Sequence, residues 1–476
     1  MLFSQMEFLF GFLPLCMAAI YISRKTGKIE IIAFTVIILS LIYYIYWNPI
    51  DIIFIIATIT INYFVSISNY LKNTYKVYFC VIFNVSYLLF FKLLLSAGVG
   101  ISQGIDEPTE LFGVLAMPLG ISFITFQQIT FVIDNSENKD SERSFLRYLF
   151  FVMFFPQLVS GPIVKHSQII PQLYRKPFRS FSWSFFSVGI CYFAIGLAKK
   201  VLIAEPLTLT NEVAFAQTAE LLASEAWINC FMYSLRIYFD FSAYADMAIG
   251  LGYMLGIRIP RNFDSPYRAT NISEFWRRWH ITLYKFFKDY VFKRLVQVRV
   301  FNQFSALAVL VVMLLSGIWH GVGWGFLIWA LGHAVAMIVY RQYRPKIRIS
   351  SVITNVPFVG TIARILSIGF MFLLVSVLWV PFATNDEALT FQYFMRMADF
   401  STIFQFRDLP LLNLNDLTLL IIGLGIVFFA PSSHALCLSG RNNTSILIWA
   451  GILICASLPL VIHNAIAPIP FLYFQF

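Results

Sequence analysis

Apolar positions in this chain neither alternate nor recur with the spacing of a half-exposed helix; they run on. The stretches 8–23, 31–47, 52–70 and 77–96 are almost continuously apolar, about the length a helix needs to cross a hydrocarbon core of roughly 30 Å. Further runs occupy 114–133, 145–164 (interrupted by Pro156 and Gly161), 181–198, 227–255, 353–380, 417–430 and 445–462. Segment 301–340 would form about 60 Å of unbroken helix at 1.5 Å per residue, twice what one crossing needs. It must therefore reverse, and Gly317, Gly321, Gly323 and Gly325 offer the turning point, since glycine relieves the steric limits on backbone direction. The pattern predicts an all-α, polytopic integral membrane protein, with residues 1–476 forming one integral domain that ends in an aromatic tail, 464–476.

Polar residues fall between the runs and orient them. The connections 24–28 and 72–76 are basic, whereas the next carries Asp106, Glu107 and Glu110 and no basic residue. By the positive-inside rule the first two face the cytoplasm and the third does not, which puts the N-terminus outside. The loop 134–143 is then cytoplasmic. So are 258–299, with ten Lys or Arg, and 341–348, with four more. Crossings counted from Arg348 leave the C-terminus outside, while the orientation of 145–260 stays open. Composition agrees: 59% of residues are hydrophobic, 12% are charged and mean hydropathy is +0.76, which excludes a soluble globular domain. The net charge of +10 then reflects topology rather than nucleic-acid binding. Six cysteines without CxxC spacing support neither a zinc ribbon nor a disulfide framework. Run 8–23 lacks a basic n-region and a cleavage pattern and reads as a retained span. The absence of an evident internal repeat weighs against transporters built on duplicated halves.

Three stretches carry candidate chemistry. In "LLSGIWHGVGWGFLIW" His320 sits at the predicted reversal, about 25 Å from the cytoplasmic boundary if some 17 helical residues lead to it. An ionisable side chain at that depth points to function, and a neutral imidazole suits general base work near pH 7. The alternative is a histidine bonded to a carbonyl at a helix end. In "NISEFWRRWHITLYKFFKDYVFKRL" a single helix would gather Phe275, Trp276, Trp279, His280, Leu283, Phe286, Phe287 and Tyr290 on one face, with Arg277, Arg278, Lys285 and Lys288 opposite. Such a helix lies along the cytoplasmic interface, capped by Asn271 or Ser273, with its cations toward anionic headgroups. As a mere anchor it has no use for an inward-facing His280. In "SLRIYFDFSAYADMAIGLGYMLG" Arg236 and Asp240 are four apart and predict an ion pair; Asp246 is left over and is read as lining a polar cavity.

These stretches, with "FFPQLVSGPI", "FDSPYRATNISEFWRRWHITL", "LLSGIWHGVGWGFLIWALGH" and the terminal "FLYFQF", resemble the membrane-bound O-acyltransferase (MBOAT) family. The likeness is to its bacterial branch of polysaccharide O-acetyltransferases, the membrane subunits that serve alginate and peptidoglycan. The resemblance implies roughly 11–13 helices around a central tunnel, broken, re-entrant and interfacial ones among them, with broken backbone sheltered inside protein. It places the family's catalytic histidine at His320 and its second histidine at His280. It also implies acetyl-CoA as acyl donor substrate, no tightly bound cofactor, and a bacterial cytoplasmic (inner) membrane location. Trp276, Arg277, Arg278, Trp319 and Asp246 are the candidate binding residues, the basic face attracting the phosphates of coenzyme A. Tyr473 in "FLYFQF" maps to an acyl relay in related systems, against the plain reading of an aromatic belt at the interface. With no aqueous domain to reach a polysaccharide acceptor, a separate extracytoplasmic acetyltransferase is the expected partner protein. Two alternatives stay open: a D-alanyl transferase of the teichoic-acid type, and a non-enzymatic lipid or glycan transporter.

Overall fold

The computed structural model describes residues 1–96, 117–137, 142–343, 357–405, 414–438, 443–465 and 469–472. Every regular element among them is helical, and six are long and apolar enough to cross a membrane: Glu7–Arg24, Asn73–Leu94, Trp183–Ala216, Trp324–Tyr343, Phe358–Thr384 and Thr444–His463. Shorter apolar helices span Ile29–Ile45, Asp51–Ile67, Ser305–His320 and Leu414–Phe429. The chain falls into two compact units. One comprises Met1–Leu197, Tyr244–Arg261 and Cys437–Gln475; the other comprises Ala198–Ala243 and Asn262–Leu436.

In the first unit, side-chain amides hold the helices together. Asn62 donates to the Gln128 carbonyl oxygen at 2.6 Å and accepts from Asn84 at 2.8 Å, and Gln128 donates to Thr58 at 3.2 Å. Where lipid offers no hydrophobic drive, such interhelical bonds and close packing do the holding. The run 145–164 is not one helix. It ends at Met153, Phe154 turns extended, and only the single turn Phe155–Leu158 follows. Pro156 lacks the N–H a continuing helix would use, and Gly161 passes so close to the Gln157 backbone that a Cβ would strike it. Residues 151–164 are all buried, as irregular backbone at membrane depth must be.

The second unit holds three further departures from the predicted pattern. The run predicted to stop at residue 198 continues through a π-helical turn, Lys199–Ala204, to Ala216. Lys200 does not mark a membrane boundary: it is fully buried, its Nζ 2.8 Å from Asp240 and 3.9 Å from Glu205. The predicted Arg236–Asp240 pair is thereby corrected, because Asp240 faces Lys200 and Arg236 turns to Glu212 at 3.2 Å. The polar stretch after residue 380 also contains a helix, Glu387–Ala398, capped by the Asp386 side chain.

Candidate active site

Helix Ser305–His320 ends at His320, the chain turns over Gly321, and helix Trp324–Tyr343 returns. The reversal is where the sequence puts it, but the glycines serve another purpose. None of the four takes a positive φ, and Gly321 is simply extended. What they allow is contact: a Cβ at Gly317 would lie 2.8 Å from Ala330 Cβ, and one at Gly325 would collide with the Pro381 carbonyl. Three helices thus meet backbone to backbone around His320. Its imidazole is buried among rings, edge-to-face with Trp319 (centroids 4.5 Å apart), Phe382 (4.9 Å) and Trp329 (5.1 Å).

His280 reaches the same cluster by a break. Instead of one helix over 271–295, the structure has Ile272–Arg278, then His280 in the left-handed region at φ 41°, then Ile281–Phe286 and a π-helical turn, Phe287–Phe292. A non-glycine residue there costs about 1–3 kcal/mol and persists only where its surroundings insist on it. They do: the Ile281 N–H donates to the Asn262 carbonyl at 2.9 Å and the Asp264 N–H to the Arg278 carbonyl at 3.0 Å. The predicted inward face is nonetheless buried throughout, from Phe275 to Tyr290, in protein rather than lipid. His280 packs edge-on to Phe241 at 4.7 Å and to Trp319 at 6.1 Å, so Trp319 borders both imidazoles. Burial lowers the His280 pKa from 6.5 to about 3 and keeps the ring neutral.

A third imidazole joins them. His333 is fully buried, 5.1 Å from Trp329 and 5.2 Å from Trp276, with neither ring nitrogen hydrogen-bonded among the described residues. Its place within an apolar helix run hides it in the sequence, where the one signal is its spacing of four from Trp329. Trp276 also lines a cleft of about 720 Å³ in this unit, which Ser316, one helical turn before His320, Tyr284, Lys288 and Arg341 line as well. The lining thus combines two cations, Lys288 and Arg341, with a mostly apolar remainder that includes the helix leading to His320.

Of the other predicted residues, Arg278 is tied to Glu274 at 2.8 Å and to the Asp264 carbonyl at 3.1 Å, and Arg277 is exposed. Asn271, rather than Ser273, caps the first helix by accepting from the Glu274 N–H. Asp246 is buried in the other unit, near Tyr192. Tyr473 lies outside the described residues, but Phe471 and Leu472 just before it are buried, Phe471 edge-on to Tyr244 at 5.1 Å. Among the described residues no three His, Cys, Asp or Glu side chains gather as metal ligands would.

Residues 33–380 match the sequence profile of the membrane-bound O-acyltransferase family. The chain belongs to that family. It is a multi-pass membrane O-acyltransferase. It is 35% identical to the peptidoglycan O-acetyltransferase of Helicobacter pylori over 81% of this chain and 77% of the relative. It is 30% identical to the probable alginate O-acetylase of Pseudomonas putida over the whole of both. The teichoic acid D-alanyltransferase of Bacillus subtilis is 30% identical over 47% of this chain and 59% of the relative.

Proposed function

We propose that this acyltransferase takes an acetyl group from cytoplasmic acetyl-CoA and delivers it across the bacterial cytoplasmic membrane, for O-acetylation of a cell-envelope polysaccharide of the peptidoglycan or alginate kind. The observation that carries this reading is the cleft. Its two cations, Lys288 and Arg341, suit the phosphates of coenzyme A, and Ser316 in its lining is one helical turn from His320. His320 accepts the proton of the attacking hydroxyl as that oxygen bonds to the thioester carbonyl; the C–S bond breaks and the thiolate leaves to take up a proton. A ring walled by aromatics suits that role, because water that would hydrolyse the thioester is kept out. His280 stands across Trp319 as the second imidazole of the site.

Tyr473 is the first acceptor in this scheme. Its phenol takes the acetyl group as an ester and passes it to a hydroxyl held by an extracytoplasmic partner, with both termini of the chain on the outer side. Burial of Phe471 and Leu472 favours the relay over an aromatic belt, which would leave the tail at the surface. D-alanyl transfer is the weaker alternative, since the relative of that name aligns over under half of this chain while acetylating relatives span most or all of it.

The test is to incubate purified protein with acetyl-labelled coenzyme A. Wild type releases thiol and becomes labelled, His320→Ala does neither, and Tyr473→Phe loses the stable label, its remaining thiol release being slow transfer of the acetyl group to water. Equal thiol release and labelling in all three proteins would remove both roles.

A further inference from the structure

Asn262 precedes the broken helix by ten residues and is itself buried, as are His280 and Thr282. Its side-chain oxygen lies 3.1 Å from the Thr282 backbone N–H, 2.9 Å from the Thr282 hydroxyl and 3.1 Å from His280 Nδ1. A backbone N–H can only donate, so the amide atom facing it must be oxygen; flipping the amide would set two donors against each other. The orientation has a cost, since the Asn262 amide nitrogen finds no acceptor among the described residues. An oxygen in that place cannot donate to His280. Nδ1 must therefore carry the proton and Nε2 the lone pair.

We propose that Asn262 is a positioning residue that locks His280 as the Nδ1–H tautomer and so makes Nε2 a hydrogen-bond acceptor toward the reacting groups. The same side chain fixes the ring's direction, because the left-handed His280 and Thr282 just after it both bond to one oxygen. His280 thus receives a proton or a hydroxyl hydrogen bond and does not donate one to the carbonyl oxygen of the thioester. This inference rests on the reading that His280 serves acyl transfer.

Two measurements on the full-length protein test it. In 15N-histidine-labelled protein in lipid, with His280→Gln used to assign the signal, the inference expects a protonated Nδ1 and an unprotonated Nε2. In acetyl-CoA turnover, Asn262→Asp keeps the three-way acceptor and retains kcat to within about tenfold, whereas Asn262→Leu lowers kcat by about 100-fold or more with KM little changed, as loss of the correct tautomer does in other histidine sites. An Nε2–H signal beside an inactive His280→Ala overturns the proposal alone. Full activity in His280→Ala overturns it together with the reading it rests on. Wild-type kcat in a folded Asn262→Leu overturns it as well, and the wild-type spectrum decides the tautomer should that variant not fold.

Discussion

Replacing Gly325 with alanine tests whether backbone contact sets the position of His320. The added Cβ would fall on the Pro381 carbonyl oxygen and come within 2.6 Å of Asn385 Cα and 3.0 Å of Asn385 N. All three are main-chain atoms, and the Pro381 carbonyl already accepts from the Asn385 N–H at 3.0 Å, so no side-chain rotation relieves the clash. Overpacking of this kind costs about 1–3 kcal/mol, against which alanine's better helix propensity returns at most about 1 kcal/mol. Gly369 supplies the internal control: it is exposed in helix Pro357–Thr384 with nothing within 4 Å of a new Cβ, so Gly369→Ala is neutral or stabilising. The functional consequence follows from Phe382, next to Pro381, which packs edge-on to His320 at 4.9 Å. Moving the Pro381 backbone moves that wall, and an error of about 1 Å at reacting groups can cost about 100-fold in rate. Gly325→Ala should therefore melt below wild type in detergent and release thiol from acetyl-CoA far more slowly, while Gly369→Ala does neither. Matching melting temperature and turnover in the two variants would refute backbone contact as the device that holds the imidazole.

Two more outcomes follow from buried and cleft-lining charges. Lys200→Met leaves Asp240 and Glu205 without the ammonium that lies 2.8 and 3.9 Å from them and should cost about 3–5 kcal/mol; adding Asp240→Leu should recover much of it, and thermal unfolding that shows no recovery would mean the charges are not coupled. Lys288→Glu with Arg341→Glu should raise KM for acetyl-CoA about tenfold at low salt with little change in kcat, the difference shrinking as screening shortens toward about 10 Å at 0.1 M salt; a KM indifferent to both charge and salt would take the donor out of this cleft.

What the sequence reveals here follows from how local each feature is. Long apolar runs have few options in a membrane, so the helices and the reversal at 317–325 are readable from the chain alone. Helix ends are less so. Lys199 and Lys200 look like a membrane boundary because two adjacent cations at an apolar edge usually are one. Of the two carboxylates beside Lys200, the nearer in space sits forty residues on, at Asp240, and no local pattern announces it. The Arg236–Asp240 expectation failed for the same reason: a spacing of four makes a pair available, but a distant partner took the acid. The inward face of 271–295 was legible and its break was not, since apolar positions repeat with nearly the same period whether the helix is continuous or interrupted for one residue. The bonds that hold the interruption come from Asn262 and Asp264, eighteen and sixteen positions before His280, through main-chain groups that no side-chain pattern reveals.

The same distinction bears on how the site keeps its shape. Side-chain packing against an imidazole can drift by rotamer changes, and in lipid there is no hydrophobic drive between helices to press it back. Here the backbone that carries each ring is held by contacts that have no such freedom. Gly317 lets the two arms of the hairpin touch at the main chain, Gly325 seats one arm on the Pro381 carbonyl, and the Ile281 N–H ties the chain beside His280 to the Asn262 carbonyl. Each fixes the backbone near an imidazole to a main-chain atom of another segment, which limits how far the aromatic rings between them, Trp319 above all, can shift. A site built this way tolerates exchange among its aromatic walls better than the addition of one methyl group at a glycine, which is the reverse of what the bulk of the side chains would suggest.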